Sequence, residues 1–223
     1  TGENLHREIT DRKLDQERIY WMAHYDALTG LPNRTLLAER TGRAIELARA
    51  SGRQLAVMFL DLDHFKHVND SLNHRVGDTL LIEFARRLRT VVNQCDTVAR
   101  IGGDEFVLLL PNANAQGAER IAAKLQKASR LTYRIDHHEL MIAPSIGIAL
   151  YPDDGHDIDS LTQAADTAMY HAKRAGRDTY RFFTPQMQAQ SRRALQVENA
   201  LRRALDRNQL SLHYQPQVTL RTG

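Results

Sequence analysis
The apolar positions along the chain change period several times, and each change predicts a boundary. Residues 3 to 24 are polar and helix-prone. Leu5, Ile9, Leu14, Ile19 and Met22 form only a thin seam there, which predicts a connecting helix rather than a core helix. "TGLPN" at 29–33 breaks that pattern, and a helix is predicted from there to about Ala50. "LAVMFL" (55–60) is a continuous apolar run of strand length, the pattern of a central strand covered on both faces. "VGDTLLIEFARRLRTVV" (76–92) returns to helical spacing through Leu80, Leu81, Phe84, Leu88 and Val91. A hairpin is predicted at 98–110 around Gly102 and Gly103, then a helix from about Ala115 to Ser129. "APSIGIAL" (143–150) reads as a strand, 158–175 as a helix closed by Gly176, and "TYRFF" as a short last strand. The order is helix, strand, helix, hairpin, helix, strand, helix, strand. It predicts an α/β domain with helices packed on a central sheet.

Beyond Thr184 the character shifts. "QSRRALQVENALRRAL" is a basic helical segment and "LSLHYQPQVTLRTG" a strand reading with turn signals. Its apolar residues have no partners in view, so it reads as the first fragment of a further domain.

Composition narrows the classes. The 223 residues are 42% apolar and 26% charged, the profile of an ordinary globular protein. No apolar run reaches the length of a membrane span, and the charged start is not a secretory signal. Cys95 is the single cysteine, which excludes an internal disulfide and fits a reducing cytoplasm. The net charge of +3 is too small and too dispersed for a nucleic-acid footprint.

Candidate chemistry gathers at two places. "RIGGDEFVLLL" (100–110) sets Asp104 and Glu105 at a hairpin tip; alone, this is an ordinary charged turn. "FLDLDHFKHVND" supplies Asp61 and Asp63 at the end of the first strand, two apart and so on one face. Asp61 meeting Asp104 and Glu105 makes an oxygen-rich site suited to Mg²⁺, a hard cation that compensates crowded carboxylates. Gly102 and Gly103 leave room for a bulky ligand near the hairpin backbone. Lys66, Lys173 and Arg177 are cations suited to phosphate oxygens. Asn69 and Asp78 have the donors and acceptors to read guanine. Each of these residues has a plainer reading as a cap or a solvated surface group.

Six segments, "DALTGLPNR", "DLDHFKHVND", "HRVGD", "RIGGDEF", "SIGIAL" and "ADTAMYHAKRAGR", resemble the GGDEF diguanylate cyclase family in order and spacing, over residues 24–183. The resemblance implies a central, mostly antiparallel sheet flanked by helices, like the nucleotidyl cyclase and polymerase palm. It implies Mg²⁺, with Mn²⁺ as a substitute, held by Asp61, the Leu62 carbonyl, Asp104 and Glu105. Asp104, Glu105 and Lys66 are the implied catalytic residues, and Asp104 also helps to deprotonate the ribose 3′-hydroxyl. Asn69 and Asp78, with His74 nearby, are implied to recognise guanine. Lys66, Lys173 and Arg177 are implied to contact the phosphates. The implied reaction condenses two GTP into cyclic di-GMP with release of two pyrophosphates, and one GTP per subunit makes a homodimer the working form. Residues 1–23 resemble a linker after a PAS sensor, and 184–223 the linker and opening of an EAL phosphodiesterase domain. The chain is therefore expected to be a piece of a larger sensor–GGDEF–EAL protein, with no phosphodiesterase activity of its own.

Two positions depart from the family pattern. The product-inhibition motif Arg-x-x-Asp reads "NQCD" here, with Asn93 for the arginine and Asp96 kept. A neutral amide lacks the bidentate guanidinium contacts, which puts feedback in doubt. Asn73 stands where glycine is common; asparagine tolerates the left-handed conformation better than most residues, so a mild change is expected. The alternative to an active cyclase is a GTP-binding module that regulates an attached EAL domain.

Overall fold
The computed structural model describes residues 15–207, 209 and 211–214. The seam residues Leu5, Ile9 and Leu14 lie outside them, as does most of the strand expected over 210–223; its described residues, 211–214, are not in a strand. The chain divides into two compact units, Thr1–Thr184 and Pro185–Gly223.

The first unit opens with helix α1 (residues 15–24), which leaves Ile19 and Met22 exposed. Asn33 caps α2 (Arg34–Ser51) by accepting from the Thr35 and Leu36 amides. Next come β1 (Leu55–Leu62), α3 (Phe65–Leu72), α4 (His74–Val91) and the hairpin of β2 (Thr97–Gly102) and β3 (Glu105–Leu110). They are followed by α5 (Ala115–Ser129), β4 (Tyr133–Ile135), β5 (His138–Leu140), β6 (Pro144–Tyr151), α6 (Ile158–Arg174) and β7 (Tyr180–Phe182). Gly176 falls one residue past the cap of α6, Ala175.

The main sheet runs β2-β3-β1-β6-β7. All its pairings are antiparallel except β6 with β7. Every residue of β1 is buried, which is why its sequence does not alternate. Its two faces go to different cores. Met58 and Leu60 pack with Leu80, Phe84 and Leu125 on the α4–α5 side, while Val57 and Phe59 pack with Leu37, Leu161 and Met169 on the α2–α6 side. Helix α6 lies unusually close to the sheet at Gly147. A Cβ there would sit 1.9 Å from the Ala165 carbonyl oxygen and 2.2 Å from the Met169 nitrogen, so only glycine permits this approach.

Three elements differ from the sequence expectation. Helix α3 buries only Phe65, so it carries no apolar period to read. Strands β4 and β5 form a separate two-stranded sheet, each three residues long and too short to show alternation.

The second unit carries α7 (Pro185–Asp206), which exposes Leu195, Val197 and Leu201.

Candidate active site
Period two along β1 places Asp61 on the same face as Val57 and Phe59, the face that α6 covers. Glu105 is its direct partner across β1 and β3, and directly opposed residues project to the same side. The two carboxylates therefore share the α6 side at one end of the sheet. Asp104 adjoins them at the turn, its carbonyl accepting from the Leu62 amide at 3.4 Å. The turn itself is shaped by Gly103 at φ +52°, and no atom lies within 4 Å of where a Cβ would stand on Gly102 or Gly103. The structure thus brings together Asp61, Leu62, Asp104, Glu105 and both hairpin glycines.

Lys173 comes from the last turn of α6 and sets its ammonium 2.7 Å from Asp61 Oδ1. The sequence assigns this lysine to phosphate; its partner here is a carboxylate. Asp63 takes a different course from Asp61. It lies just past β1, accepts from the Ser145 hydroxyl at 2.8 and 3.0 Å and from the Asp178 amide at 2.9 Å, and has Arg177 Nε at 3.9 Å. Asp63 thereby ties the loop that carries Arg177 to the end of the sheet.

Electrostatics reflect this crowding. Burial pushes the Asp61 carboxyl up to about 6; the hydrogen bond from Lys173 opposes the rise, and the charge of Asp104 adds to it. Glu105 is also raised, by burial and then by Asp166 and Asp104, against the pull of Lys173 and Arg34. Desolvation raises Asp166 in turn, although much of its residue surface is open. Arg34 and Asp166 lie within the segments "DALTGLPNR" and "ADTAMYHAKRAGR", but the sequence assigns neither a role. They come from α2 and α6, and only the fold reveals that both act on Glu105.

Lys66 is exposed on α3 and makes no ion pair among the described residues. Asn69, on the same helix, has a buried Oδ1 without a hydrogen-bond partner. His74 and Asp78 stand one turn apart at the start of α4, both exposed. No hydrogen bond or ion pair joins these four to the carboxylates among the described residues.

The donor set suits a hard divalent ion in kind, since carboxylate and carbonyl oxygens are what such ions take. Among the described residues no three acidic, histidine or cysteine side chains already enclose an ion position. Lys173 supplies the positive charge at Asp61. A separate groove of about 660 Å³ along α2, lined by Arg40, Arg43 and Arg53, shares no residue with this cleft. The Asn93–Asp96 stretch forms a closed turn in which Asp96 Oδ2 accepts from the Asn93 amide at 2.8 Å.

Paired acids at the end of a helix-covered, mostly antiparallel sheet, with cations beside them, define a nucleotidyl cyclase-type palm domain. The chain belongs to the GGDEF family: the family model for the diguanylate cyclase GGDEF domain matches residues 23–179. It is 50% identical over 202 residues to the bifunctional diguanylate cyclase/cyclic di-GMP phosphodiesterase MucR of Pseudomonas aeruginosa, covering 91% of this chain and 30% of MucR. It is 42% identical over 202 residues to the cyclic di-GMP phosphodiesterase NbdA of the same species, covering 91% of this chain and 26% of NbdA. Among solved structures, the isolated GGDEF domain of P. aeruginosa TpbB (YfiN) superposes with a TM-score of 0.73 at 41% identity, over 78% of this chain and 99% of that one. The chain spans less than a third of the length of MucR and NbdA. No helix among the described residues is long and apolar enough to cross a membrane.

Proposed function
We propose that residues 24–183 are an active diguanylate cyclase, condensing two GTP into cyclic di-GMP and two pyrophosphates, each 3′-hydroxyl attacking the α-phosphorus of the other nucleotide. The observation that carries this reading is the direct pairing of Asp61 with Glu105 beside Asp104 at an open hairpin tip. Asp61, the Leu62 carbonyl, Asp104 and Glu105 would hold Mg²⁺ or Mn²⁺, which when bound neutralises phosphate charge and orients the reacting groups. Asp104 would also help to deprotonate the 3′-hydroxyl. Lys66, and Arg177 at the loop after α6, suit the phosphate oxygens. The Asn69 amide can both donate to and accept from guanine, and the exposed Asp78 carboxylate suits its N1–H. Residues 184–223 are proposed to lead into an EAL domain, in keeping with the bifunctional relative.

A second reading, a GTP-binding module that regulates an attached phosphodiesterase, is favoured by one observation: NbdA, at 42% identity, carries a phosphodiesterase name alone. Incubation of the purified chain with GTP and Mg²⁺, followed by chromatography of the products, separates the two. We expect cyclic di-GMP, and we expect its loss in a folded Asp104→Ala protein. Retention of the rate in that variant sinks the proposed site, and GTP binding without product selects the regulatory module.

A further inference from the structure
Asp61 is largely buried, 9% exposed as a residue, and one of its oxygens is already in contact with a cation. Lys173 reaches it from α6, which packs closely on β6 at Gly147. The lysine stem can move without the helix: four methylenes let the ammonium swing without any backbone change. The neighbouring acid offers no substitute ligand, because both Asp63 oxygens are engaged by Ser145 and one also by the Asp178 amide. A divalent ion approaching Asp61 therefore meets a monovalent charge already seated on the same carboxylate, in a cleft where charges are poorly screened.

We propose that Lys173 is an exchangeable counter-cation for Asp61, which a divalent ion must displace, and that the phosphates arriving with that ion give the released ammonium its new partner. The inference rests on the reading of Asp61 as a metal ligand. It makes metal and nucleotide binding mutually dependent. Metal alone must evict Lys173 with nothing to receive it, whereas nucleotide provides phosphate oxygens within the swing of the side chain. The same lysine thus opposes bare metal and favours the loaded nucleotide, so its removal shifts the two affinities in opposite directions. A lysine that served phosphate alone would leave the affinity for bare metal unchanged.

The test is Mn²⁺ binding, followed by electron paramagnetic resonance without nucleotide and again with a non-hydrolysable GTP analogue, on the wild type, Lys173→Met, Lys173→Arg and Asp61→Asn. Without nucleotide, Lys173→Met should bind Mn²⁺ about tenfold more tightly than the wild type. Its binding should also gain less from the analogue. Lys173→Arg, which keeps the charge, should behave like the wild type, and Asp61→Asn should lose the site. Thermal melting supplies a check on folding: Lys173→Met should melt lower in chelator, with Asp61 unpaired, and gain more from Mn²⁺ than the wild type does. Asp61-dependent Mn²⁺ binding that is unchanged or weaker in Lys173→Met overturns the exchange while leaving the metal site standing. Absence of Asp61-dependent binding in every protein, with and without the analogue, overturns the site itself and the exchange with it.

Discussion
Arg100 donates from Nε and Nη2 to the Gly103 carbonyl at 3.0 and 2.8 Å and from Nη1 to both oxygens of Asp26 at 3.0 and 3.1 Å. One side chain thus joins the "DALTG" turn to the hairpin tip that carries Asp104 and Glu105. Burial alone would raise the Asp26 carboxyl, but hydrogen bonds from the Thr29 hydroxyl and amide, and from Arg100, hold it below the ordinary carboxylate value. A carboxyl lowered by folding contributes stability above its unfolded value, and the contribution fades as pH falls through the folded one. Asp26→Asn should therefore cost about 1–3 kcal/mol near neutrality, with Arg100 left short of a partner. The gap to the wild type should narrow below about pH 4. Denaturant midpoints of both proteins across that range check this, and a gap that does not depend on pH would refute it. The sequence shows Asp26 and Arg100 as separate motif residues, 74 positions apart. Nothing in either motif names the other as its partner, and the same holds for Lys173 with Asp61.

At the scale of elements, Asn73 joins α3 to α4 with φ +103° and ψ +163°. This lies outside the left-handed region in which asparagine is comfortable and inside one used almost only by glycine. The sequence expectation of a mild change from glycine is thus corrected, because the conformation is the more costly one. The side chain offsets part of the strain by accepting from the Val76 amide at 3.1 Å as the cap of α4. Exchanging an asparagine cap for glycine costs a few tenths of a kcal/mol, whereas the strain is worth roughly 1–3. Asn73→Gly should therefore stabilise the domain by about 1 kcal/mol or more, read as a higher melting temperature; a lower one would show that the cap outweighs the strain. The sequence made the elements legible wherever an element met the core along its whole length. Strand β1 is buried throughout, and α4 buries Leu80, Leu81, Phe84 and Leu88 at helical spacing. Helix α3, with one buried residue, and the three-residue strands β4 and β5 left no such imprint. Yet α3 carries Lys66 and Asn69, so a motif match placed those residues where periodicity failed.

On the scale of the whole molecule, the proposed reaction needs two nucleotides facing each other, and each GGDEF domain presents a single pair of opposed acids, Asp61 and Glu105. Helix α1 exposes Ile19 and Met22, three residues apart on one face. This is a seam too thin to hold two chains together strongly. Specific activity of the isolated chain should therefore rise with protein concentration until dimers dominate. A strong parallel coiled coil fused ahead of Glu17, in a register that turns the two clefts toward each other, should raise the rate at low concentration by about a hundredfold, because the second site becomes intramolecular. Other registers should raise dimer content, measured by light scattering, without raising the rate. That split separates geometry from mere association, and it decides between the two functional readings. A regulatory module would bind one GTP per chain and yield no cyclic di-GMP in any register. Product formation that is independent of both concentration and register would mean that a single chain completes the reaction, and the face-to-face arrangement would fall.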